Sequence, residues 1–273
     1  MLREWRLILS PPASGAWNMG LDEAILFSTA QKNSPPTLRM YAWQPATLSL
    51  GFAQPHLDVD LAALEEEQWG LVRRPTGGRA ILHVDELTYA VAGSDDEPFL
   101  AGGLLESYCK ISRALLTGLA RMNVTAFGDK AYTNEPPDNK KNPVCFETPS
   151  NYEITVDGKK LIGSAQSRKY GGILQHGSIP IKGDLARITR VLQFPSEQAR
   201  RTAANKLIAR ASTLEAVMGT APSWETVAEA VITGFSKVGN INFSPSQPSD
   251  QELKMAAELV SAKYGSAQWT FRI

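Results

Sequence analysis

The order of the periodic segments limits the fold more than any other feature of the sequence. β-like runs fill the first two thirds of the chain, and helical patterns gather after about residue 184. Trp5, Leu7 and Leu9 alternate with Arg6 and Ile8 ahead of Pro11-Pro12, which predicts a first strand. Asn18 to Ala30 predicts a helix with Asp22 and Glu23 in its first turns, where acids favour the helix dipole. Leu38–Trp43 and Thr47–Gly51 flank Gln44-Pro45 as a hairpin would, and Asp58–Trp69 suits a short surface helix with Leu61 and Leu64 inward. Leu104 to Met122 has the clearest helical period, with Leu104, Leu105, Tyr108, Ile111, Leu115, Leu116, Leu119 and Met122 on one face. Asn151–Val156 and Lys160–Ala165 flank Asp157-Gly158, a type I′ hairpin signal, and Ile173–Ile181 predicts a further strand. Amphipathic helices are expected at Asp184–Val191, Ser196–Leu207, Ser223–Lys237 and Ser249–Tyr264.

Strands and helices therefore do not alternate as βαβ units. The expected class is α+β, a mixed and largely antiparallel sheet flanked by helices. One domain over residues 1–273 is expected, with a helical C-terminal segment at about 184–273. Composition agrees with a packed core, at 43% hydrophobic and 21% charged residues. Lys and Arg number 28 and Asp and Glu 28, so no summed positive field favours nucleic acid as a partner. The first ten residues carry no long apolar stretch, and no later run approaches a membrane span, so a cytoplasmic protein without membrane contact is expected. The two cysteines, Cys109 and Cys145, read as free thiols.

Four sets of residues offer chemistry. In Arg73-Arg74-Pro75-Thr76-Gly77-Gly78-Arg79, the glycines let backbone approach a ligand, and arginine with backbone N–H groups can hold an anion or an acyl carbonyl. A hairpin turn with solvated arginines fits the same residues. His83 and His176 flank glycine-containing strands and could share a pocket, or one could be a core histidine and the other exposed. No HxxxH or HExxH spacing supports a metal. Cys109 sits on the long helix as a buried structural thiol, whereas Cys145 follows a Pro/Asn/Lys-rich loop with Lys140, Lys141, Lys159, Lys160 and His176 as cations for a nucleophile. Lys160, if it points inward on its strand, shares a side with Ile162 and Ser164, and Gly163 permits close approach; both lysines could equally be solvated hairpin residues.

Taken together, RRPTGGRAILHVDELTYAV at 73–91 and GKKLIGSAQSRKYGGILQHGSI at 158–179 resemble the arginine/glycine and lysine motifs of the biotin/lipoate protein ligase A/B superfamily. NMGLDEAIL at 18–26, LRMYAWQPATLSLGFAQ at 38–54 and KYGSAQW at 263–269 extend the likeness over nearly the whole chain. PVCFETPSNYEI at 143–154 is similar to the octanoyltransferases of that superfamily, in which a cysteine here carries the acyl group. The resemblance implies the catalytic-domain fold of those ligases. It also implies transfer of octanoate from octanoyl-acyl carrier protein to a lysine of a lipoyl domain or glycine cleavage H protein. Cys145 and Lys160 would be catalytic, and Arg74, Thr76, Gly77, Gly78, His83, Gly163, Ser164, Ala165 and His176 would bind substrate. A monomer without cofactor or metal is expected. Arg79 stands where the ligases carry a third glycine, which suits the transferase branch, and Val84 replaces the acid that follows the motif histidine, with Asp85 one place later. The alternatives are an ATP- and Mg-dependent ligase lacking its accessory domain, an octanoyl amidotransferase between lipoyl proteins, and a non-catalytic binding module.

Overall fold

A computed structural model of the chain describes residues 2–128 and 153–273. In chain order the strands are β1 (Arg3–Leu9), β2 (Thr37–Tyr41), β3 (Thr47–Leu50), β4 (Gly70–Arg73), β5 (Ile81–His83), β6 (Glu86–Ser94), β7 (Phe127–Gly128), β8 (Ile154–Val156), β9 (Lys159–Lys169), β10 (Gly172–Pro180) and β11 (Ile241–Pro245). The α-helices are α1 (Gly15–Ala30), α2 (Leu61–Glu66), α3 (Leu104–Arg121), α4 (Glu197–Arg210), α5 (Leu214–Met218), α6 (Trp224–Gly239), α7 (Asp250–Leu259) and α8 (Ala267–Thr270). Among the described residues, a larger sheet runs in the order β11-β1-β2-β6-β10-β9-β8-β7, and a smaller one in the order β4-β3-β5. β11, β1 and β2 are parallel; from β2 onward each neighbour in the larger sheet is antiparallel. The expected mixed, largely antiparallel sheet flanked by helices is thus present. None of the described helices is long and apolar enough to cross a membrane.

Both faces of the larger sheet are covered. Trp5, Leu38, Leu87, Val91 and Ile179 pack with Ile111, Leu115, Val231 and Phe235 of α3 and α6 on one side. Ile8, Tyr41, Ala90 and Leu174 pack with Met19, Ile25 and Leu26 of α1, and with Ala256 of α7, on the other. The smaller sheet has its own apolar cluster, joining Leu48, Leu50 and Ile81 to Val191 and Leu207. α3 and α6 approach so closely that a Cβ at Gly234 would sit 2.1 Å from the Ala114 carbonyl oxygen, and one at Gly118 would sit 2.6 Å from that of Ala230.

Several local expectations change. Leu38–Trp43 and Thr47–Gly51 form no hairpin, because β2 pairs β1 and β6 while β3 pairs β4 and β5. The Gly77-Gly78 turn joins no adjacent pair either, since β3 lies between β4 and β5. Distant partners decide these pairings, and the turn residues between the strands do not report them. One βαβ unit exists at β1, α1 and β2. β11 breaks the helical C-terminal segment by extending the sheet beside β1. α1 starts earlier than its periodicity implies because the Ser14 hydroxyl caps Trp17 N–H. Leu104 and Leu105 are each 50% exposed, and Cys109 is a half-buried free thiol. By contrast the Asp157-Gly158 hairpin forms as read, with φ of 50° and 72° at its two central residues.

Gly234→Ala tests the helix contact. Alanine's intrinsic helical advantage over glycine is only about 1 kcal/mol, so overpacking against the Ala114 carbonyl dominates and lowers unfolding stability by about 1–3 kcal/mol. A urea midpoint equal to wild type would show that α3 and α6 are free to separate.

Candidate active site

The ladder register sorts the site residues onto faces. Arg39, Ala90, His176 and Ala165 form one row across β2, β6, β10 and β9. Tyr41, Thr88, Ser178 and Gly163 form another on the same face, two residues along. Met40, Tyr89, Gly177 and Ser164 lie between them and point the other way. His176, Gly163 and Ala165 therefore share the side that faces α1, and Ser164 does not. Its hydroxyl is 2.7 Å from the Tyr89 hydroxyl, and the Tyr108 hydroxyl donates to its carbonyl at 3.2 Å.

Lys160 reaches the His176 side through a register shift. Ile154 pairs Ile162, yet Thr155 pairs Lys160, so β9 carries one extra residue at Leu161. Thr155 faces opposite to Ile154, and Lys160 goes with it. Lys160 therefore does not share a side with Ile162 and Ser164, as simple alternation had it. It is 4% exposed rather than solvated, and its Nζ donates to Glu153 Oε1 at 2.6 Å. Ser212 N–H donates to its carbonyl at 2.9 Å, which fixes its backbone against the α4–α5 connection.

Two hydrogen-bonded chains meet the arginine/glycine loop. In the first, Asp22 on α1 accepts from Arg39 Nη1 at 2.6 Å, from the Tyr41 hydroxyl at 2.8 Å and from His176 Nδ1 at 3.4 Å. Burial alone would raise the Asp22 pKa, but Arg39, His176 and Tyr41 outweigh it and hold the carboxyl below its usual range. Burial lowers the His176 pKa despite Asp22, so the ring is neutral at pH 7. A carboxylate only accepts, so Nδ1 carries the proton, and Nε2 accepts from the Thr76 hydroxyl at 2.6 Å. In the second chain, Arg74 Nη1 donates to Ser49 Oγ at 3.0 Å, and Ser49 Oγ lies 2.8 Å from His83 Nε2. His83 Nδ1 donates to Glu86 at 2.7 Å while its ring stacks on Trp43 with centroids 4.0 Å apart. Glu86 also accepts from the Thr88 and Ser178 hydroxyls.

The loop itself is tightly closed. Arg74 donates to the carbonyls of Ser49, Gly77 and Arg79, so its guanidinium holds the loop's own backbone. Arg73 does the same for the Gly51, Gln54 and Thr270 carbonyls. Neither arginine is solvated: both are buried. Gly78 meets Gly51 so closely that a Cβ on Gly51 would lie 1.9 Å from the Gly78 carbonyl oxygen. Gly77 is exposed, with no atom beyond its own chain neighbours within 4 Å of where a Cβ would stand. The loop can thus offer backbone to a ligand while its arginines keep its shape.

The structure brings together Arg74, Thr76, Gly77, Gly78, His83 and His176 through these bonds, and places Lys160, Gly163 and Ala165 on the sheet face that His176 occupies. Cys145 lies outside the described residues. Among the described residues no three His, Cys, Asp or Glu side chains converge as a metal would require. Sequence reading missed the parts of Asp22, Glu23, Arg39, Ser49 and Glu153. Asp22 and Glu23 are not in the first turn of α1 and serve no dipole; both are buried on a helix that is covered round most of its circumference. A signal was available in the acids themselves, since charges within an apolar helix must find partners.

Glu23 finds four: it accepts from Lys169, Tyr170, Lys263 and Tyr264. Burial would raise its pKa, but these donors lower it from the usual 4.5 to about 2. A folded-state value below the unfolded one stabilises the fold fully above pH 4.5 and loses that contribution as pH falls toward 2. Glu23→Gln is therefore expected to lower Tm at neutral pH and to flatten its fall between pH 4.5 and 2. Parallel Tm curves for the two proteins would remove Glu23 from the acid response.

A family profile described as the lipoyl protein ligase A/B catalytic domain matches residues 14–236. Octanoyltransferase LipM of Brevibacillus brevis is 38% identical over 275 residues, covering 99% of this chain and 100% of that protein. Octanoyltransferase LipM of Bacillus subtilis is 37% identical over 272 residues, covering 98% of each. Among solved structures, a lipoate-protein ligase A bound with ATP superposes with a TM-score of 0.79 at 25% identity over 98% of both chains. A bi-partite lipoate protein ligase from Thermoplasma acidophilum, studied with its E2 lipoyl domain, gives 0.79 at 24% identity, covering 98% of this chain and 96% of that one, which is likeness of fold. With a profile spanning most of its length and full-length relatives above one third identical, the chain belongs to the lipoyl protein ligase A/B catalytic-domain family.

Proposed function

We propose that the chain is an octanoyltransferase of lipoate biosynthesis, taking octanoate from octanoyl-acyl carrier protein and passing it to a lysine of a lipoyl domain or glycine cleavage H protein. The observation that carries this reading is the full-length kinship with octanoyltransferases at 36–40% identity. The buried Lys160, on the same sheet face as His176, supports it.

The reaction divides into two thioester steps. In the first, Cys145 gives up its proton and its thiolate attacks the octanoyl thioester; a new C–S bond forms, the carrier's C–S bond breaks, and the carrier leaves as a thiol carrying the proton that Cys145 released. In the second, the acceptor amine attacks the acyl-cysteine. A C–N bond forms, the Cys145 C–S bond breaks, and the proton lost by the amine ends on the departing thiolate. Lys160, as an ammonium, stabilises the thiolate and the tetrahedral oxyanion and passes the proton between nitrogen and sulfur. Thr76 and the Gly77-Gly78 backbone frame the acyl group, and Asp22 holds His176 so that its bare nitrogen fixes Thr76. The route uses no ATP.

Intact-protein mass spectrometry after mixing with octanoyl-acyl carrier protein, without ATP, tests the scheme. A hydroxylamine-labile octanoyl adduct is expected, mapping to Cys145 and passing to a lipoyl domain. Cys145→Ala is expected to abolish both adduct and transfer, and Lys160→Ala to slow transfer by about a hundredfold or more. Absence of an adduct, together with acylation from free octanoate and ATP, would support the ligase reading that the ATP-bound neighbour invites.

A further inference from the structure

Lys160 is fixed through both its backbone and its side chain. Its backbone is anchored through Ser212, and its Nζ lies 2.6 Å from Glu153 Oε1, with side-chain exposures of 4% and 12%. The extra residue at Leu161 produces this meeting. Without it, Lys160 would alternate onto the side of Ile154 and Ile162, within the apolar cluster against α3 and α6. Glu153 stands two residues before Thr155, so it shares the face to which the shift carries Lys160. β9 gives up ladder regularity at the one point that brings this lysine to this carboxylate.

We propose that Glu153 is a positioning residue for the transfer reaction, holding the Lys160 ammonium in the orientation from which it meets the reacting thioester. The inference rests on the reading of Lys160 given above. A long flexible amine keeps one orientation only while its partners hold it, and an ammonium released by this carboxylate no longer stands in line with the oxyanion and the sulfur. Lys160 gives a proton to the departing thiolate and recovers one from the attacking amine.

The test is octanoyl transfer from octanoyl-acyl carrier protein to a lipoyl domain by full-length wild type, Glu153→Gln, Glu153→Asp, Lys160→Ala and the double variant Glu153→Gln/Lys160→Ala, each checked for folding by circular dichroism. Glu153→Gln is expected to lower kcat by about tenfold to a hundredfold with KM for the donor unchanged, the scale of a misplaced reacting group. Glu153→Asp is expected to fall between it and wild type. The double variant is expected to be no slower than Lys160→Ala, since the carboxylate acts only through the amine. Should Glu153→Gln fail to fold, Glu153→Asp and the double variant, which removes the ammonium along with the carboxylate, carry the comparison. Wild-type kcat in Glu153→Gln or Glu153→Asp, or a double variant slowed by the product of the single effects, overturns the inference while Lys160→Ala stays slow. A Lys160→Ala enzyme at the wild-type rate overturns the reading of Lys160 itself, and this inference with it.

Discussion

The Asp22–Arg39 pair governs the layer between α1 and the larger sheet. Both side chains are almost fully buried, and their attraction offsets desolvation only because every remaining polar atom nearby is also engaged. Arg39 donates further to the Asn18 side chain and carbonyl and to Ser10, and Tyr41 caps the second Asp22 oxygen. A carboxylate saturated in this way leaves His176 one orientation. The charge pair thus sets the tautomer of a histidine on the neighbouring layer, and through it the hydroxyl of Thr76.

A parallel arrangement holds the smaller sheet. Glu86 closes on His83, Thr88 and Ser178, so one carboxylate ties β5 to β6 and β10 of the other sheet. Arg74 then joins His83's partner Ser49 to the loop carbonyls. Removing one member of such a buried chain strands its neighbours without partners, which costs more than the bond itself. The loop between the sheets is consequently held at its arginines and exposed at Gly77 and Gly78, and at Gly77 an incoming group can approach the backbone.

How far the sequence reveals this depends on how local each determinant is. Asp157-Gly158 is legible because its two positive φ values are set within the turn. α6 and α7 are legible because their apolar positions repeat along one face, yet β11 between them is not, since its partner is the edge of β1. The side that Lys160 faces is hidden for a related reason: alternation assigns faces by parity, and one extra residue inverts it. Motif resemblance brings Arg74, Thr76 and His176 to notice without their geometry, and it presents Arg74 as a ligand group where the structure uses its guanidinium as a clamp on carbonyls. Asp22 and Glu23 read as first-turn acids favouring the dipole until the cap at Ser14 moves the start of α1.

Arg73 sits in the first third of the chain, yet two of its donors end on the carbonyl of Thr270. β1 likewise lacks its outer neighbour until Ile241–Pro245 is available. During synthesis, then, the loop beside Arg74 waits for Thr270, and the open edge of β1 waits for Ile241–Pro245, to leave the ribosome. The nascent chain cannot complete these contacts until those distant residues emerge, and for that interval β1 presents an unpaired strand edge.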